Sequence, residues 1–236
     1  VVIAQAATVT ASGLSHLVVA LIRTLILVAL LGLDASVALA RPRSTGDSAL
    51  PGHFDYYVLA LSWSPVYCQR HPEDRQQCGS RRYGFVLHGL WPQHAAGGYP
   101  ATCPTHARLT PEARALGTTI FPSEKLLVHQ WRKHGTCSGL EPTQYFRAAD
   151  AARHAIRLPP QLEPGSRTWQ ATAEEVSRAI RDHNPSLTGR SIAVVCSGPE
   201  LAEVRVCMSK DLRPMPCGAR VRDVCRKGPI RIPGAR

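Results

Sequence analysis

Acidic residues are scarce in this chain: 17 Asp and Glu stand against 28 Lys and Arg, a formal net charge of +11 over 236 residues. The carboxylates form no cluster of the kind that holds magnesium, which argues against chemistry built on that ion. No two of the eight cysteines are spaced as CxxC, which argues against a structural zinc site. Internal repeats are absent, so a solenoid or array is not indicated. A membrane-spanning run is lacking too. Residues 17–33 are apolar except for Arg23 and Thr24. The uncharged run of residues 24–33 is shorter than the roughly 20 residues that cross a bilayer as a helix.

That short apolar run follows Arg23 and leads to the small-x-small pattern Ala38-Leu39-Ala40, the build of a secretory signal peptide. Residues 1–40 are expected to be removed, leaving residues 41–236 as a single domain long enough for its own core. Arg23 and Asp34 cancel, so the net positive charge belongs to the mature part. A basic secreted domain suggests a polyanionic partner, although plain solubility explains the charge equally well. Cys68, Cys78, Cys103, Cys137, Cys196, Cys207, Cys217 and Cys225 all follow the leader. An even number in that setting reads as a disulfide framework. Cys68 and Cys78, and likewise Cys207 and Cys217, are near enough to close short loops. Spacing alone leaves the other pairings open.

Helices and strands are mixed without βαβ regularity, which makes the fold class α+β. Residues 53–63, with 57–61 apolar throughout, read as a strand buried on both faces. Residues 69–82 read as a charged loop pinned by Cys68 and Cys78. A short helix is expected to begin at Thr110-Pro111, and another to be capped by Thr143 and to run through Ala155. Thr172 and Glu175 form a capping box for a helix ending near His183. Residues 191–196 and 203–208 are rich in Val and read as strands. From Arg226 the chain is basic, contains Gly and Pro, and is expected to be a loose tail.

Residues 126–139, LLVHQWRKHGTCSG, concentrate the chemistry. Ser123 is a candidate N-cap and Gly135 a candidate stop for a helix between them. On it Gln130, Lys133 and His134 stand i, i+3, i+4 on one face, with His129 and Lys133 also i, i+4. Two imidazoles, an ammonium and an amide therefore share a small volume. Imidazole suits proton transfer, because its ordinary pKa of about 6.5 lies near neutrality. By themselves such residues are more often a solvated cationic face. A second stretch, residues 84–93, reads as a strand and turn that would set His88 at the mouth of a cleft.

The two stretches, His88-Gly89-Leu90-Trp91-Pro92 and His129-Gln130-Trp131-Arg132-Lys133-His134-Gly135-Thr136-Cys137, resemble the signature segments HGLWP and HEWxKHGTC of the ribonuclease T2 family. The one departure is Gln130, where the family usually has Glu. The resemblance implies a central antiparallel sheet flanked by helices, with Cys103–Cys137 and Cys196–Cys225 as long-range disulfides. It implies a secreted or periplasmic endoribonuclease acting on single-stranded RNA through the RNA's own 2′-OH, without metal or cofactor. DNA, lacking that hydroxyl, should not be cut. His134 would be the base and His88 the acid of the first step, with Lys133 and Gln130 beside them and His129 holding the phosphate.

Trp91 is the expected stacking platform for a base, with Tyr99 a second aromatic in the following loop. Gln93 stands where some members carry a base-contacting Asp. Trp131 and Phe85 are expected in the core. Arg81, Arg82 and Arg132 are candidate phosphate contacts, although solvated surface charge is the commoner role. A monomer without membrane contact is expected once the leader is removed. Since Gln130 carries no charge, the alternative is a secreted RNA-binding protein on the same fold with weakened catalysis.

Overall fold

The computed structural model describes residues 50–165 and 167–234; the expected leader lies outside the described residues. The described chain is an α+β domain with a central sheet flanked by helices. Strand β1 (Tyr56–Trp63) lies inside the sheet, next to its edge strand, and pairs antiparallel with β2 (Phe85–Gln93) on one side and β5 (Glu200–Met208) on the other. β4 (Ile192–Ser197) also pairs antiparallel with β5. β3 (Trp169–Ala171) and β6 (Ile230–Ile232) form a short antiparallel pair, joined to β5 through one parallel contact, Glu200 with Arg231. The sheet is therefore antiparallel except at that contact.

Apolar residues on both faces of β1 explain its interior place. Tyr57, Leu59, Leu61 and Trp63 point into the main core, while Tyr56 and Val58 join Cys207 in a smaller cluster on the other face, with Trp91 packed against it. The helices are α1 (Ser64–Arg70), α2 (Arg75–Cys78), α3 (Pro111–Ile120), α4 (Glu124–Lys133), α5 (Pro142–His154) and α6 (Ala173–Asp182). Thr110 caps α3, Ser123 caps α4, and Thr172 with Glu175 forms the capping box of α6, as the sequence pattern suggests. α5 begins earlier than Thr143, because Glu141 and Gln144 make a reciprocal capping box around Pro142. Among the described residues, no helix is long and apolar enough to cross a membrane.

The disulfides are Cys68–Cys78, Cys103–Cys137, Cys196–Cys225 and Cys207–Cys217. Two expectations need correction. Residues 69–82 are not all loop: α1 and α2 occupy part of them, and Gln77 on α2 donates to Ser64 Oγ at 2.9 Å. The segment after Arg226 is not a loose tail. Ile230 and Ile232 are fully buried in β6, and the indole of Trp63 donates to Pro233 O at 2.9 Å. Two Ile flanking an Arg carry the alternation of a half-buried strand, and those contacts offset the flexibility suggested by nearby Gly and Pro.

Candidate active site

The site forms where α4 ends beside the outer strand β2. Leu127, Gln130 and Trp131 are the buried residues of α4, spaced i, i+3, i+4. Trp131 enters the core against Tyr145 and Phe146, as expected. The helix ends at Lys133, so His134 is the cap residue rather than part of the helical face. Its backbone N–H still donates to Gln130 O at 3.0 Å, and the chain then tightens into a turn over Gly135–Cys137. Gly135 is required there, because a Cβ would lie 2.4 Å from the Trp131 ring. The Cys103–Cys137 disulfide and the bond from Thr102 N–H to Lys133 O, 2.9 Å, hold this end in place.

His88 reaches the same place by another route. Gly89 pairs with Ala60 and Leu87 with Leu61, leaving His88 as the extra residue of a β-bulge. A bulge breaks strict alternation and re-aims a side chain. Here Leu87 and Leu90 both remain in the core, while His88 is half-buried. The hydroxyl of Tyr145, fully buried on α5, donates to Leu90 O at 2.9 Å and anchors the strand just beyond the bulge.

Both imidazoles pack on one indole. The Trp91 ring lies 5.0 Å from His88, edge to face, and 5.3 Å from His134, stacked. Trp91 Nε1–H donates to Gln130 Oε1 at 2.7 Å, and Arg205 lies 5.5 Å from the Trp91 ring. The Trp91 indole is thus tied down within the site while remaining only partly buried. Tyr99 is the freer ring: half its surface is exposed, with His134 at 5.9 Å and the Lys133 ammonium at 5.7 Å. His129 is exposed on α4. Gln93, at the end of β2, turns its amide onto Pro92 O at 2.9 Å and makes no bond to the imidazoles.

His134 is more enclosed than a residue at a cleft mouth, with 5% of its surface exposed. Burial, then the charges of Lys133, His129 and His88, push its pKa from 6.5 down to about 3. Burial also lowers the pKa of His129, with Lys133 and His88 acting in the same direction. These couplings place the three imidazoles and the ammonium in one electrostatic neighbourhood. Gln130 Nε2 and His134 Nδ1 are buried without a partner among the described residues.

Two residues of the site escape sequence reasoning. Glu203 Oε2 lies 2.6 Å from His88 Nδ1, and Arg205 Nε donates to Glu203 Oε1 at 2.6 Å. The carboxylate is 6% exposed. Burial would raise its pKa, but the bond and charge of His88, together with Arg205, outweigh that and hold it below its ordinary value. The available signal was Glu203 and Arg205, two residues apart in the otherwise apolar run of residues 201–208, hence on one face. Nothing in the chain order tied that face to His88.

Comparison with known proteins follows the same lines. The Ribonuclease T2 family model matches residues 54–217. A ribonuclease of Aeromonas hydrophila is 47% identical over 116 residues, covering 49% of this chain and 53% of that protein. A probable ribonuclease of Haemophilus influenzae is 32% identical over 181 residues, covering 70% of this chain and 62% of its own length. The chain thus spans less than two thirds of each of these relatives. Among solved structures, a mutant of RNase MC1 in complex with 5′-UMP superposes with a TM-score of 0.60 at 22% identity, covering 76% of this chain and 98% of that one. An RNase-related protein from Calystegia sepium gives 0.61 at 22% identity, covering 76% and 96%. At such identity the structural likeness is one of fold. On the strength of the family model, the chain belongs to the ribonuclease T2 family.

Proposed function

We propose that this protein is an endoribonuclease that cleaves single-stranded RNA by transesterification. The observation that carries the reading is the meeting of His88, from a bulged strand, with His134, from a helix cap, on the single indole of Trp91. RNA brings its own nucleophile. Cleavage needs a base for the 2′-OH proton, an acid for the departing 5′ oxygen, and cationic stabilisation of the phosphorane. Each well-placed acid or base is worth about 10²–10⁴-fold.

His134 is the base. Its depressed pKa keeps it neutral, and since Nδ1 is its buried nitrogen, Nε2 takes the proton. The 2′ oxygen attacks phosphorus, the bond to the 5′ oxygen breaks, and His88 Nε2–H protonates that oxygen. Lys133 balances the added negative charge in a partly dehydrated site, often the largest single contribution. The product is a 2′,3′-cyclic phosphate. In the second step the roles reverse: His88 removes a proton from water and His134 protonates the 2′ oxygen, leaving a 3′-phosphate.

Gln130 holds Trp91 by its amide oxygen from within the protein and so positions the indole; His129 lies at the rim as a phosphate contact. Trp91 and the more exposed Tyr99 are the aromatic faces on which a base stacks, and Gln93 reads a base only if its amide leaves Pro92 O. Four disulfides suit an oxidising compartment, the periplasm or the exterior.

The test is incubation of the protein with single-stranded RNA and with DNA of the same sequence, both in EDTA. Release of 2′,3′-cyclic phosphate ends from RNA alone is expected. Metal-dependent cleavage overturns the reading. RNA bound but left intact favours the weakened, RNA-binding alternative suggested by Gln130.

A further inference from the structure

The family usually places a carboxylate on the helix that carries the base, and here that position is the neutral Gln130. A carboxylate nevertheless reaches the imidazoles from the opposite side, on β5. We propose that Glu203 is the positioning carboxylate of this site: it accepts the Nδ1–H of His88, so that Nε2 faces the substrate, and supplies the negative charge that position 130 lacks. This rests on the reading of His88 as a proton donor in RNA cleavage.

Geometry carries the assignment. The 2.6 Å contact joins residues 115 apart in sequence, and Arg205 bonds the other carboxylate oxygen, so both oxygens are held. An ionised carboxylate only accepts hydrogen bonds, which requires the hydrogen on Nδ1 and leaves Nε2 as the nitrogen that gives and takes protons. Glu203 stands opposite Ser62 of β1, in the part of the sheet where β2 carries its bulge. The bulge aims the ring and the carboxylate sets its rotation and tautomer. His88 is coupled to Glu203 on β5 and to His129 and His134 from α4 and its cap; Arg205 acts in turn on Glu203, and Lys133 on the other two imidazoles. All but Glu203 are cationic or neutral. Removing Glu203 therefore removes the carboxylate bonded to the His88 ring.

The decisive experiment compares Glu203→Gln with Glu203→Asp on two substrates, a dinucleoside phosphate and a nucleoside 3′-(p-nitrophenyl phosphate). The second has a leaving group that needs no acid. For Glu203→Gln, kcat on the dinucleotide should fall about 10- to 100-fold with KM little changed, and the basic limb of its pH profile should move to lower pH by about one unit. The activated substrate should lose much less. Glu203→Asp should recover part of kcat and of the limb position. Equal losses on both substrates, or an unmoved limb, overturn the proposal. Nitrogen-15 NMR of the His88 ring gives a readout without turnover: the Nδ1–H form is expected in the unaltered protein, shifting toward Nε2–H in Glu203→Gln. An Nε2–H form in the unaltered protein overturns the proposal even if RNA is cleaved. Failure of the unaltered protein to cleave RNA, with the Nδ1–H form seen, counts against the ribonuclease reading instead.

Discussion

Gly89 occupies a space in which one methyl group decides whether the site can close. A Cβ there would lie 2.1 Å from Gln130 Oε1 and 2.3 Å from Trp91 Nε1. Gly89→Ala should therefore break the Trp91–Gln130 bond and displace the indole on which both imidazoles rest. A loss of about 100-fold or more in kcat is expected, read against a thermal midpoint that falls only modestly. Activity within tenfold of the parent would show that the indole is not needed to register the two rings. Gln130 tests the electrostatics. In Gln130→Glu a carboxylate can still accept from Trp91, but it adds negative charge beside His134. That raises the pKa of His134 from its depressed value, so protonation disables the base at higher pH and the acid limb of kcat/KM moves upward. An unmoved or lowered limb would remove the coupling between position 130 and the base.

At the scale of elements, the site depends on how α4 terminates. His134 has left the helix, and its position comes from the tight turn, the glycine beneath it and the Cys103–Cys137 cross-link. Replacing Cys103 and Cys137 together by Ala releases a constraint across 34 residues. Loop-closure entropy puts the loss at about 4 kcal/mol, to be measured by urea unfolding. Since Thr102 and Cys103 both hold the end of α4, kcat should also fall in the protein that remains folded. Unchanged kcat would mean that the turn holds His134 without the cross-link. The element scale is also where sequence reading is strongest and weakest. Side-chain caps are local, so Thr110, Ser123 and Thr172 were legible. The α5 start at Pro142 and the β6 strand were not. The first is just as local but uses Glu141, outside the usual Ser, Thr, Asp and Asn caps and two residues before Thr143; the second depends on a partner strand some sixty residues earlier.

Across the whole molecule, acid should be the destabilising condition. Folded His134 stays neutral until about pH 3, while in the unfolded chain the ring protonates near its ordinary 6.5. Between those values the unfolded state binds the extra proton, so stability rises with pH across the window and is lost as pH falls through it. Glu203 acts in the same direction at lower pH: its folded pKa is below the ordinary 4.5, so its contribution is present above that value and is lost as pH falls through the folded one. His134→Phe should flatten the dependence of the thermal midpoint on pH between 6.5 and about 3 relative to the parent. An identical slope would show that burial of this imidazole is not what couples folding to protons.

By itself the sequence determined the chemistry on offer: two histidines in recognisable local settings, a lysine beside one of them, paired cysteines and an α+β pattern. Those properties depend on residue type and on neighbours within a turn or two of chain, which a linear string preserves. Tertiary structure alone decided that His88 is turned by a bulge opposite Ala60 and Leu61, that the Trp91 indole is bonded to Gln130, and that the Glu203 carboxylate lies against His88. Each of these is settled by strand register, and register depends on partners brought together only when the core closes.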